Sequence, residues 1–173
     1  MVTKYLSSFA LVGGLLIPHQ QLTPAPQAAV VLSAEIGAKL PEFSVNDLHG
    51  RPVRSTDLRG KVVLVDFWAT WCGPCKKEMP GYQRLLDHYR SQGLVVIGFK
   101  FDTMRDTEEA ISFAKGLGVR YPLALASDEI KNKFGGIEGL PTTLLYDRQG
   151  VLRYKVIGFE YTETVEKQVK GLL

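Results

Sequence analysis

The chain has 173 residues, enough for one domain with a real core plus a short appendage. Apolar residues make up 45% and charged residues 23%, the balance of an ordinary globular protein. A net charge of +3 is too small to argue for a nucleic-acid partner or an anionic membrane surface.

The first 34 residues carry one lysine, Lys4, and no acid. An apolar stretch from Tyr5 to Ile17 follows, then a Pro/Gln/Ala segment from Pro18 to Ala34, with the cut expected near Ala29 or Ala34. A short positive start, an apolar middle and a small-residue exit is the pattern of a secretory signal peptide. The middle is 13 residues long, short of the roughly 20 a spanning helix needs. Residues 1–34 are therefore expected to be a signal peptide or an N-terminal membrane tether, and residues 35–173 the folded domain. No cysteine in this leader could carry a lipid.

From Gly37 the order of elements is legible. Phe43–Leu48 and Arg51–Arg54, joined at His49-Gly50, read as a short hairpin. Lys61–Phe67 reads as a strand with apolar residues on both faces, as in the middle of a sheet. A helix is expected from Cys72 to Ser91, with Cys75, Met79, Tyr82, Leu85, Leu86 and Tyr89 on its inner face. Leu94–Phe101 should be a second strand, parallel to the first because a helix crosses between them. Thr107–Leu117 reads as a helix, Tyr121–Ala126 as a strand, and Asp128–Phe134 as a helix capped by Ser127. Thr142–Tyr146 and Val151–Gly158 read as strands joined at Asp147–Gly150. Val165, Val169 and Leu172 mark a terminal amphipathic helix. A βαβ half followed by a ββα half predicts an α/β fold whose mixed central sheet is flanked by helices.

Both cysteines of the chain lie in Trp71-Cys72-Gly73-Pro74-Cys75, at the junction of the first long strand and its helix. Two thiols three positions apart can close into a disulfide and reopen, and no other cysteine is present to form a structural bridge. Thiol–disulfide exchange needs a thiolate attacker and a second thiol to resolve the mixed disulfide. Cys72, at the first turn of the helix, meets unpaired N–H groups and the positive end of the helix dipole, and is read as the exposed attacker. Cys75, turned toward the core, is read as the resolving thiol. Pro74 pre-sets the helix entry and Gly73 permits close approach of a partner chain. Trp71 is expected to line the docking surface. Asp66, an acid in an apolar strand six residues before Cys72, should have its proton held tightly by burial and could relay the proton of Cys75. Lys76, Lys77 and Glu78 read as a solvated helix face. His19, His49 and His88 are scattered and form no ligand set, so neither metal nor cofactor is expected.

These residues resemble the thioredoxin fold, and more narrowly the exported thioredoxin-like proteins of the TlpA/ResA type. The resemblance is carried by VDFWATWCGPCKKEMP (Val65 to Pro80), GIEGLPTTLLYDRQG (Gly136 to Gly150) and the hairpin lead-in, over about residues 38–173. It implies that the stretch from Asp102 to Pro141, longer than in plain thioredoxins, holds an extra helix and strand, an insertion typical of this subfamily. It also implies that Pro141 is a cis-proline facing the active site, with the backbone of Leu140 exposed as an edge for a substrate strand. Many subfamily members have Asn or an apolar residue where this chain has Asp66. Gly98 stands where thioredoxin has the lysine facing that acid, and Lys100, two residues on, is the cation on the same face. Gly73-Pro74 goes with a reducing dithiol in the related proteins.

The activity implied is thiol–disulfide exchange on protein substrates outside the cytoplasm, apocytochrome c among them. A membrane thiol donor would be needed for re-reduction. Two other readings use the same thiols. A peroxiredoxin-like peroxidase would share the hairpin lead-in, but such proteins place Thr three positions before the reactive cysteine, where this chain has Ala69. A Cu(I) carrier would hold the metal between the two thiolates.

Overall fold

The computed structural model describes residues 35–101 and 107–173. The expected leader, residues 1–34, lies outside the described residues.

Seven strands and four α-helices are described. Strands β1 (Ser44–Asn46) and β2 (Pro52–Arg54) form the antiparallel hairpin, with Val45 opposite Val53. Strand β3 (Val62–Trp68) leads into helix α1 (Gly73–Tyr89), which returns the chain to β4 (Leu94–Lys100). Helix α2 (Thr107–Gly116), strand β5 (Leu123–Leu125) and helix α3 (Asp128–Lys133) follow, then β6 (Thr142–Tyr146), β7 (Leu152–Ile157) and α4 (Thr162–Leu172). The five-stranded sheet has the order β5-β4-β3-β6-β7. Strands β3, β4 and β5 run parallel, while β6 and β7 are antiparallel to their neighbours. This is the mixed sheet the sequence predicts.

All seven residues of β3 are buried, because the strand is central and covered on both faces. Its alternation divides the core. Val62, Leu64 and Trp68 pack with Met79, Tyr82 and Leu85 of α1, Ala110 and Ala114 of α2, and Val165 and Val169 of α4. Val63, Val65 and Phe67 pack on the other face with Phe43 and Val53 of the hairpin and Ile130 and Phe134 around α3. The hairpin also seals the edge of the sheet: Leu48 N donates to Leu123 O at 2.6 Å, and Asp47 bridges to Ala124.

Local signals act where the sequence placed them. Ser127 Oγ accepts from Ile130 N at 3.2 Å and starts α3. Strand β5 is shorter than Tyr121–Ala126, because it pairs only with Gly98–Lys100 at the end of β4. Leu172 is half-buried, while Val165 and Val169 are fully buried.

Candidate active site

Strand β3 ends beneath the start of α1, and this junction presents the two cysteines. Cys72 is the N-cap of α1, with extended backbone (φ −78°, ψ 101°), and its Sγ accepts from Cys75 N at 3.2 Å. The sulfurs are bonded to each other, with the two Cα atoms 5.3 Å apart. Pro74 occupies the first turn, where its missing N–H costs nothing. Trp71 is 70% exposed, and Gly73 and Pro74 are exposed beside it. Cys72 itself corrects the expectation of an open attacker: it is only 4% exposed in the disulfide, against 0% for Cys75. Both cysteines belong to the core cluster of α1, with Leu140 packed against that cluster.

Asp66 lies on the α1 face of β3, in register with Gly98 of β4 and Thr143 of β6. It is fully buried, and neither carboxylate oxygen accepts a hydrogen bond. Burial raises its proton affinity well above the usual carboxylate range, and the charge of Glu78 raises it further. Lys100 is buried in register with Trp68, and it does not hydrogen-bond Asp66.

Glu78 is the residue that sequence reasoning missed. Its neighbours Lys76 and Lys77 are solvated as expected, but Glu78 is 1% exposed. Its Oε1 accepts from Glu160 N at 2.6 Å, and its Oε2 is buried with no hydrogen-bond partner. Burial pushes its pKa up to about 7, against the opposing effect of the Glu160 N–H. A signal for this existed: Glu78 falls three positions after Cys75 and four before Tyr82, on the inner stripe of α1.

Tyrosines complete the buried polar region. Tyr82 Oη lies 2.8 Å from Thr143 Oγ1. Tyr121 Oη is buried without a partner, and burial with the charges of Asp66, Tyr82 and Glu78 holds its proton well above the ordinary tyrosine range. Helix α2 covers one side: Phe113 stacks on Trp68 (centroids 5.7 Å, 11° between planes), and Lys76 Nζ sits 5.3 Å from the Phe113 centroid.

The Leu140–Pro141 peptide bond is cis. Pro141 O accepts from Gly158 N at 2.8 Å, and Thr142 Oγ1 donates to Gly139 O at 2.7 Å. The backbone N–H and C=O of Leu140 are unpaired among the described residues. Among the described residues, no three His, Cys, Asp or Glu side chains come together to hold a metal ion.

A bonded cysteine pair capping a helix, at the end of the central strand of this sheet, is the machinery of a thioredoxin-fold thiol–disulfide oxidoreductase. Comparison with known proteins gives the same class. Residues 36–155 match the AhpC/TSA family. The thiol-disulfide oxidoreductase ResA of Bacillus anthracis is 34% identical over 139 residues, covering 80% of this chain and 79% of that one. ResA of Bacillus subtilis (strain 168) is 33% identical over 138 residues, covering 79% and 75%. The crystal structure of a thiol:disulfide interchange protein of the thioredoxin family from Chlorobium tepidum TLS superposes with a TM-score of 0.73 at 28% identity, covering 80% of this chain and 97% of that one. The chain belongs to the AhpC/TSA family, and within it to the ResA-type thiol–disulfide oxidoreductases.

Proposed function

We propose that this oxidoreductase works outside the cytoplasm as a reductant of disulfides in protein partners. The observation that carries the reading is the Cys72–Cys75 pair at the start of α1 with a buried, unpaired carboxyl, Asp66, on the strand behind it. In the reduced protein the Cys72 thiolate attacks one sulfur of the partner's disulfide. A mixed disulfide forms, and the partner's other sulfur leaves as a thiolate that takes a proton from water. Cys75 then gives its proton to Asp66 and attacks Cys72 Sγ. The Cys72–Cys75 disulfide closes, the second partner thiol is released, and two electrons have passed to the partner.

Burial and the charge of Glu78 raise the proton affinity of Asp66, so its ionised form is a stronger base toward the Cys75 thiol than an ordinary carboxylate, and the proton it gains can pass to the departing partner thiolate. Trp71, Gly73 and Pro74 form the exposed approach to Cys72, and the unpaired backbone of Leu140 before Pro141 is an edge for an extended partner segment.

The leader at residues 1–34 supports export, by cleavage or as a tether. A reductant in an oxidising compartment needs a membrane thiol donor to regenerate it. The resemblance of Val65–Pro80 and Gly136–Gly150 to the exported TlpA/ResA type brings in apocytochrome c as one proposed substrate. A peroxidase reading is disfavoured by Ala69, whose methyl offers no hydroxyl three positions before Cys72.

Trapping tests this. Cys75→Ser leaves the Cys72 attack intact and stalls the mixed disulfide. Expressed in an export-competent cell, the full chain should accumulate covalent adducts with exported cysteine-containing proteins that dithiothreitol dissolves. No adducts, or adducts with cytoplasmic proteins alone, would overturn the assignment.

A further inference from the structure

Between helix α2 and the turn of the β1–β2 hairpin, a cavity of about 360 Å³ opens to solvent. Its floor is Ala114, Val119, Tyr121 and Leu123, each between 3% and 8% exposed. Partly buried Leu48 of the hairpin turn and Ile111 of α2 form its sides. A concave apolar floor is the ordinary form of a small-molecule site, and the volume falls within the usual range of roughly 300–1,000 Å³.

Charge selects the occupant. The remaining residues around the mouth are His49, Arg51, Lys115 and Arg120, all exposed, and no acid lines the cavity. Arg51 is paired with Asp47 at 2.8 Å and Arg120 with Asp87 at 2.7 Å, both carboxylates lying outside the lining. Lys115 has no ion pair or hydrogen bond among the described residues, so the mouth keeps an uncompensated positive charge. Two other cavities differ in this respect. The one of about 180 Å³ at the start of β3 has Glu42 and Asp147 in its wall, and the one of about 370 Å³ beside β4 has Asp87. The chain's own leader is a poor match for a basic mouth, since residues 1–34 would bring Lys4 and no acid.

We infer that this cleft binds a small amphiphile with one anionic head: a fatty-acid-type molecule whose acyl chain lies over Val119, Tyr121 and Leu123 and whose carboxylate meets Lys115 at the mouth. None of the lining residues belongs to the Trp71–Cys75 segment or the cis-proline turn, so the site is separate from the one that exchanges disulfides. The tail provides most of the affinity and the head provides the selection. Each CH₂ removed from water tightens binding about fourfold, whereas one exposed ion pair adds about two- to fivefold.

The test titrates the full chain with decanoate at mildly alkaline pH, read by calorimetry and by nuclear Overhauser effects from the ligand's methyl group. Decanoate should bind with a Kd on the order of 0.1–1 mM and contact Leu48, Ile111 and Leu123. Octanoate, two methylenes shorter, should bind roughly tenfold more weakly. Decanol, with the same tail and no charge, should bind about two- to fivefold more weakly, and decyltrimethylammonium more weakly still. Lys115→Glu changes an exposed side chain of α2 and should remove the preference for decanoate over decanol. No binding at about 10 mM, contacts to Phe159 and Tyr161 instead, or equal binding of the three decyl compounds overturns the inference. So does an unchanged decanoate preference in Lys115→Glu. Binding to vesicles of anionic phospholipid without binding of free decanoate overturns it in favour of a membrane-surface site.

Discussion

Asp66 on β3 and Glu78 on α1 are both buried carboxyls, and the charge of Glu78 makes Asp66 harder to ionise than burial alone would. Neither Asp66 oxygen nor Glu78 Oε2 has a hydrogen-bond partner. Both acids therefore hold protons more tightly in the folded chain than in the unfolded one. Such a group lends stability below its unfolded pKa and loses it as pH rises through the folded value. For Glu78 the window runs from 4.5 to about 7. Glu78→Gln, the isostere of the protonated acid, should gain about 1–3 kcal/mol on the wild type at pH 8 relative to pH 5. Asp66→Asn should shift stability in the same direction. Urea unfolding at the two pH values measures this, and a parallel pH dependence in wild type and variant would argue against it.

The same acid separates the two chemical steps. Asp66→Asn leaves Cys72 at the N-cap of α1, where the helix end supports its thiolate. Attack on a peptide disulfide should stay within about twofold of the wild type, while resolution by Cys75 slows by roughly 10²-fold, the scale of a lost general base. Quenched-flow separation of mixed disulfide from product reads both rates. Equal slowing of the two would remove Asp66 from the proton path.

The elements were legible where one physical signal dominated. Val62–Trp68 is apolar throughout because it is covered on both faces, and Ser127 caps α3 through its own hydroxyl. The cysteine pair was legible because chemistry restricts what two thiols at that spacing can do. Glu78 was not, since Lys76-Lys77-Glu78 is a charge run whose first two members are solvated and whose third is buried. Helical phase distinguishes them, but nothing in the sequence indicates that a loop some 80 residues later donates an amide to Glu78. The burial of Cys72 was likewise hidden, because it depends on Leu140 and the rest of the core closing around the disulfide. Tertiary proximity, not local propensity, decided both.

Helix α2 contributes to the site by stacking. Phe113 lies flat on Trp68, and Lys76 covers the same ring. Phe113→Ala should expose the buried indole and cost about 2–3 kcal/mol, less than a fully buried Phe because the residue is only partly buried. Tryptophan emission of the folded variant should shift to the red, and unchanged emission with unchanged stability would show that α2 does not seal this side.

Helices α1 and α4 meet at Gly81. A Cβ built there would collide with Thr162 Oγ1 and come within 3.1 Å of Thr162 Cβ and Cγ2, in the first turn of α4. Thr162 follows directly on the loop whose amide Glu78 holds, so displacing α4 also displaces Tyr161. Gly81→Ala gains helix propensity at α1 but overpacks this contact, and the steric effect should win by about 1–3 kcal/mol. Combining it with Thr162→Ala removes the colliding hydroxyl and should restore most of the loss, a coupling that adjacent residues show and distant ones do not. Denaturant midpoints of the two single variants and the double variant test the contact, and additive losses would mean that the helices have room to move apart.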